Sequence, residues 1–255
     1  MTAASSLSSS PSSSCAASGA FTNRVILVTG ATGGLGQMAC EALAKEGATL
    51  LLLARNEKRL DILYDRMIEL GAPTPVSIPL DLAAQKDTQF EELAGMIASQ
   101  LGRLDGIAHF ASQFVQLAPL ASQTLKDWER AFAVNALAPF GLTRACLPLL
   151  KQSPDASVLF AIESHSLKPG AFWGGFSASQ SAIPSLVTML TEEREADSTL
   201  RFNVLVPGPI ETPMRERTHP GETRTQRRPP IELAELILEC LGPASKVRSG
   251  EVIFA

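Results

Sequence analysis

The stretch "RVILVTGATGGLG", residues 24–36, decides the fold. Its first half is a short, unbroken apolar run and its second half is crowded with glycine. Similar runs recur along the chain at 48–54, 75–80, 104–111, 156–162, 200–206 and 250–255. They do not alternate apolar with polar residues. Strands covered on both faces read this way, as in a parallel sheet between layers of helices.

Helical segments lie between these runs. "GGLGQMACEALAKEG" opens on glycines and stops at Gly47, and "NEKRLDILYDRMIELG" has a capping Asn56 and a stop at Gly71. Further helices fit residues 87–101, 123–151, 173–196 and 230–241. Strand and helix in strict alternation, with short links, predict one doubly wound α/β domain over residues 21–255. The expected architecture is a Rossmann-like, seven-stranded parallel sheet with helices on both faces.

The glycines of the opening stretch then take on chemistry. Gly30 allows a tight turn, Gly34 lets backbone approach a pyrophosphate, and Gly36 lets the helix pack close to the strand. Thr32, Gly33 and Leu35 complete the loop, and the helix start offers free N–H groups to phosphate. A strand before, a helix after and a second strand on schedule point to a dinucleotide. At the end of the second run, Ala54 stands where a carboxylate would accept from a ribose 2′-OH, and Arg55 follows. Arg55 suits a 2′-phosphate and so favours NADP(H) over NAD(H), against the plainer reading of a solvated arginine at a helix start. Asp81 and Leu82, after the third run, read either as adenine contacts or as turn residues.

Composition excludes several classes. The net charge is only −4 over 255 residues, which gives no nucleic-acid surface. No apolar run reads as long enough to span a bilayer, and a cytoplasmic protein is expected. The four cysteines are scattered, with no zinc or disulfide spacing, and no metal site is expected. "MTAASSLSSSPSSSCAASGA", residues 1–20, is read as a disordered tail. It lacks the basic start of a secretory signal and the arginines of a transit peptide.

With these residues in hand, the chain resembles the short-chain dehydrogenase/reductase family from residue 22 onward, and its bacterial YciK-type subgroup most closely. The carriers are "TGATGGLG", "LLLLARNEKRL", "LDGIAHFAS", "FAVNALAPF", "FWGGFSAS" and "VPGPIET". The resemblance implies an NADP-dependent oxidoreductase. It places Ala111 at the cofactor and Pro207, Gly208, Ile210 and Thr212 around the nicotinamide. It gives Asn135 the role of holding a proton-relay water.

The departures fall on the chemistry. The family's catalytic Tyr is Phe176 here and its Lys is Gln180. Its Ser position is Glu163, with Ser164 one step later. Phe176 has no exchangeable proton, and Gln180 has no charge with which to tune one. Glu163 would oppose an oxyanion and favour the oxidised, positively charged nicotinamide. The only tyrosine, Tyr64, falls on the adenosine side. The expectation is a weak or non-catalytic member, a cofactor sensor or inactive subunit. The alternative is an active enzyme using His109 or His165 as a substitute acid.

The family pairs subunits through helices that match 123–151 and 173–196, so a homodimer is expected, or a hetero-oligomer with an active paralogue. The sequence ends at Ala255 without the tail that completes some family tetramers. Arg215, Arg217, Arg224, Arg227 and Arg228 fall in the family's substrate lid. Their surroundings of Pro, Gly and Thr read as a mobile, solvated loop, with recognition of an anion as the alternative.

Overall fold

The computed structural model describes residues 19–84, 86–195, 198–243 and 248–255. The disordered-tail reading therefore lies outside the described residues for 1–18. Gly19 and Ala20 belong to the folded part: the Ala20 N–H donates to Glu46 Oε2.

Each apolar run contains a strand: β1 (Val25–Thr29), β2 (Thr49–Ala54), β3 (Val76–Pro79), β4 (Gly106–His109), β5 (Ser157–Ala161), β6 (Arg201–Val206) and β7 (Val252–Phe254). The α-helices are α1 (Gly34–Lys45), α2 (Glu57–Glu69), α3 (Asp87–Leu101), α4 (Leu125–Phe132), α5 (Ala138–Gln152), α6 (Gly174–Gln180), α7 (Ala182–Glu192), α8 (Pro213–Thr218) and α9 (Ala234–Leu241). The strands form one parallel sheet in the order β3-β2-β1-β4-β5-β6-β7.

Two cores sandwich this sheet. Ile26, Val28, Leu50 and Leu52 pack with Leu43 of α1, Leu60 of α2 and Ile237 of α9. Val25, Leu27, Leu51 and Leu53 pack on the other face with Phe90 of α3, Leu142 of α5 and Val187 of α7. Successive residues go to opposite cores, so every position must be apolar, and the runs show no alternation. After β3 the chain returns to lay β4 on the free side of β1. That reversal opens a crevice at the carboxyl ends of β1 and β4, where ligands of such sheets bind.

Three helices differ from the sequence reading. The segment read as 123–151 is continuous from Leu125 to Gln152, but it contains a π turn over Ala133–Leu137. By length and composition this 28-residue helix would cross a bilayer, contrary to the sequence expectation. It is mostly buried, with Leu142, Cys146 and Leu150 in the second core, and so reads as a core helix. The segment read as 173–196 is two helices meeting at Ser181. Pro184 explains the break, because it has no N–H for the Gln180 carbonyl and its ring crowds that oxygen. The last segment begins as a 3₁₀ turn at Pro230–Leu233 before α9.

At the amino ends of the strands, Asp155 pairs with two nearly buried arginines, Arg24 and Arg201. Burial alone would raise the Asp155 carboxyl. Hydrogen bonds from Arg201 and Arg24 outweigh it and hold the group below the usual range. A depressed carboxyl stabilises the fold above its unfolded pKa of ~3.9, and that stability is lost as pH falls through the folded value. Melting temperature should therefore fall below about pH 4, and Asp155→Asn should flatten that acid limb. An acid limb unchanged in Asp155→Asn would assign it to other carboxylates.

Candidate active site

The crevice is lined first by the glycine turn. Gly30 has φ +66°, and a Cβ there would lie 2.6 Å from the Ala111 nitrogen. A Cβ on Gly36 would overlap the Gly30 carbonyl oxygen, and one on Gly34 would sit 2.8 Å from Thr212 Cγ2. Gly33 caps α1 without a side-chain hydrogen bond to the first turn. The helix start therefore faces the crevice with its N–H groups unclaimed by a cap.

Arg55 and Arg59 line the crevice beyond β2. Both are exposed. Asp81 lines it too, but its carboxylate turns onto its own loop, accepting from the Ala83 N–H at 3.2 Å and pairing with Arg130 at 3.2 Å. Leu82, Ala111, Pro207, Gly208, Ile210 and Thr212 complete the wall, so every cofactor residue named from the sequence lies on it.

Phe176, Gln180 and Glu163 close the far end. Phe176 is buried, edge-on to Phe114 at 5.2 Å and 6.0 Å from Trp173. Gln180 is buried and held by three hydrogen bonds. Its Oε1 accepts from the Glu163 N–H and the Ser166 hydroxyl, both at 2.9 Å, and its Nε2 donates to Ser112 Oγ at 3.1 Å. The Glu163 carboxylate bends back over its own turn and accepts from the Ser164 N–H and hydroxyl. Arg215 stands 3.4 Å from both Glu163 oxygens, so the carboxylate is no bare charge against a nicotinamide.

Two of the catalytic positions taken from the resemblance are off the wall. Ser164 is exposed and serves Glu163. Asn135, in the π turn, accepts from the Gln113 N–H at 2.7 Å and donates to the Gln113 carbonyl and to Ser179 Oγ. Its side chain ties the loop after β4 to α6.

The substitute acids fare unequally. His109 is buried, stacked on Phe160 at 4.8 Å and bonded to Thr143 Oγ1 at 2.9 Å. Burial pushes its pKa down to about 3. It is a neutral core residue, and the expectation that it acts as an acid near neutral pH is wrong. His165 stays partly exposed, stacked on Trp173 at 3.9 Å. Lys168, on the same loop, is exposed.

The arginines of this segment all have partners, and three of the five are withdrawn from solvent, which corrects the mobile, solvated-loop reading. Arg215 makes a bidentate pair with Glu222, 2.8 Å on each arm, and Arg227 joins the same carboxylate at 3.1 Å. Their side chains are 11% and 5% exposed. Hydrogen bonds from Arg215 outweigh burial and hold Glu222 down to about 2. Arg217 donates to the Phe114 and Val115 carbonyls, and Arg228 to the Pro207 carbonyl. Arg217 and Arg224 are the exposed ones of the five, and Arg224 pairs with Glu211.

The sequence profile of the short chain dehydrogenase family matches residues 24–223. The chain belongs to the short-chain dehydrogenase family. It is of the YciK type: it is 34% identical over 228 residues to YciK of Escherichia coli, an uncharacterised oxidoreductase, covering 89% of this chain and 90% of that one. A short-chain dehydrogenase of Shigella flexneri, solved with NADP, is 32% identical with a TM-score of 0.89 over 93% of this chain and 99% of that one. One from another Escherichia coli strain, solved with NADPH, is 32% identical with a TM-score of 0.88 over 93% and 98%.

For this short-chain dehydrogenase the sequence reading missed Arg59, Gln113, Met214 and His219. Arg59 had a signal, because it lies one helical turn after Arg55. The others reach the site through tertiary contacts that no local pattern announces.

Proposed function

We propose that the protein binds NADP(H) in this cleft and does not run the family's proton relay. It acts as a cofactor-binding sensor or as an inactive subunit. The observation that carries this reading is the buried Phe176. It puts a ring without an exchangeable proton where the reaction needs a hydroxyl, and Gln180 beside it has no charge and is tied to Glu163, Ser166 and Ser112. The turn fits the cofactor, since a Cβ at Gly30, Gly34 or Gly36 would collide with the cradle itself. Gly33–Gly36 and the start of α1 would hold the pyrophosphate, and Arg55 with Arg59 the 2′-phosphate. Bound NADPH would supply a hydride, and this chain offers no conventional proton to accompany it. His165, beside Glu163, is the remaining substitute acid for an active enzyme.

Leu125, Leu137, Phe140 and Met189 are exposed on α4, the π turn, α5 and α7. They support a homodimer, or a hetero-oligomer with an active paralogue, in the cytoplasm. Neither a membrane nor nucleic acid is part of this proposal.

Titration with NADPH and NADH, followed by nicotinamide fluorescence, tests the binding half. NADPH should bind at least ~10-fold more tightly, since one charge-assisted hydrogen bond contributes about 1.5–3 kcal/mol. A panel of carbonyl substrates should then oxidise NADPH no faster than buffer. Failure to bind either cofactor sinks the first half, and steady turnover sinks the second.

A further inference from the structure

We infer that Glu163, His165 and His219 form a binding site for one divalent transition-metal ion of the zinc class. One ligating atom from each lies within 4.8 Å of the others, and all three residues are partly buried. His165 Nδ1 is 3.7 Å from Glu163 Oε1. Metal–ligand bonds of about 2.0–2.2 Å set ligand atoms roughly 3.3 Å apart in a tetrahedron, so small side-chain rotations close the set.

Two observations point to a ligand rather than to a chance cluster. His165 Nδ1 is buried and has no hydrogen-bond partner among the described residues. A buried polar atom is ordinarily satisfied, and this one faces a carboxylate with room between. Its ring is held by Trp173, stacked at 3.9 Å. His219 is prepared differently. The Thr218 hydroxyl donates to the Met214 and Arg215 carbonyls, at 3.1 and 3.3 Å. With its one proton on a carbonyl, its oxygen is free to accept from a His219 Nδ1–H 2.9 Å away. In that tautomer Nε2 keeps its lone pair, as it does for a metal-bound imidazole with an outer partner.

Arg215 is the opposing charge. Its contacts with Glu163 are long, at 3.4 Å, while its two bonds to Glu222 are 2.8 Å. Releasing Glu163 to a cation leaves Arg215 paired. Two imidazoles and one carboxylate suit Zn²⁺ and leave a fourth position for water or another oxygen ligand. The consequence is mechanical as well. Glu163 and His165 follow β5, whereas His219 ends α8. A shared ion would clip the lid to the body of the sheet. The site stands independently of the dinucleotide reading.

The test uses the untagged full-length chain, stripped by a chelator. The chain has three histidines, and His109 is buried in the core. Imidazole-bound Co²⁺ can therefore report only His165 and His219. One equivalent of Co²⁺ should give tetrahedral visible absorption bands, and Zn²⁺ should displace it in calorimetry. Thr218→Val should weaken Zn²⁺ binding ~10-fold, and His165→Ala, His219→Ala or Glu163→Gln should weaken it by ~100-fold or more. Melting of the metal-free variants checks folding, and His165→Gln and His219→Gln replace any alanine variant that melts early. Zn²⁺ affinity unchanged in the histidine variants, or no tetrahedral Co²⁺ spectrum in the parent chain, overturns the site.

Discussion

Gln180→Lys should lower the melting temperature by about 6–20 °C rather than restore a dehydrogenase. Gln180 is 4% exposed, and its Oε1 is the acceptor for both the Glu163 N–H and the Ser166 hydroxyl. An ammonium accepts nothing. Two buried donors then go unmet at about 1–3 kcal/mol each. The new charge has one nearby carboxylate, Glu163, already shared with Arg215. A total of about 3–5 kcal/mol follows, and a domain of this size loses about 2–4 °C per kcal/mol. Gln180→Met separates the causes, because it removes the acceptor without adding charge. If Gln180→Lys melts within ~2 °C of the parent chain, the view of Gln180 as an anchor is wrong.

The same geometry bears on the proposed function. On that proposal the three replaced positions each carry a structural task. Glu163 caps its own turn, Gln180 holds that turn down, and Phe176 fills an aromatic cluster with Phe114 and Trp173. Phe176→Tyr alone would add a hydroxyl without a neighbouring ammonium to lower its pKa. Groups that act as a unit do not return one at a time.

The sheet was legible because its strands are buried on both faces, so Ile26 and Leu27 had to be apolar for opposite cores. The glycine turn was legible because Gly36 answers to the nearby Gly30 carbonyl and Gly30 to a left-handed φ of +66°, although the atoms that crowd Gly30 belong to the distant Ala111. What failed to show was non-local. His109 ends an apolar run, and nothing in "GIAH" says that its ring faces α5 and not the cleft. The π turn at Ala133–Leu137 has no residue signature. The lid misled by composition: Pro, Gly and Thr suggested a loose loop, while Glu222 between Arg215 and Arg227 carried the order. His219 meets Glu163 and His165 only because α8 folds back over the turn after β5.

The double change Arg55→Ala, Arg59→Ala should weaken NADPH binding by roughly 100-fold or more and shift NADH by less than about threefold. Both guanidiniums lie on the cleft wall at the end of β2 and the start of α2. Among the described residues neither makes an ion pair within the protein, so their removal disturbs no internal network. Exposed substitutions of this kind usually stay within about 0.5 kcal/mol of the parent stability. The loss then reports on the ligand and not on the fold. Two charge-assisted hydrogen bonds to a 2′-phosphate, at about 1.5–3 kcal/mol each, give the 100-fold figure, since about 1.4 kcal/mol is tenfold. Salt supplies an independent check. NADPH affinity of the parent chain should fall as ionic strength rises, and that slope should flatten in the double variant. Equal weakening of NADPH and NADH would mean that the arginines act on the shared adenosine, and the preference for NADP(H) would fall. An unchanged NADPH affinity would mean that the two side chains are solvated, and the 2′-phosphate would have to be held from elsewhere on the wall. The single variants rank the pair: Arg55 leaves β2 directly, whereas Arg59 sits in the first turn of α2, where the helix start adds its own positive end to the same phosphate.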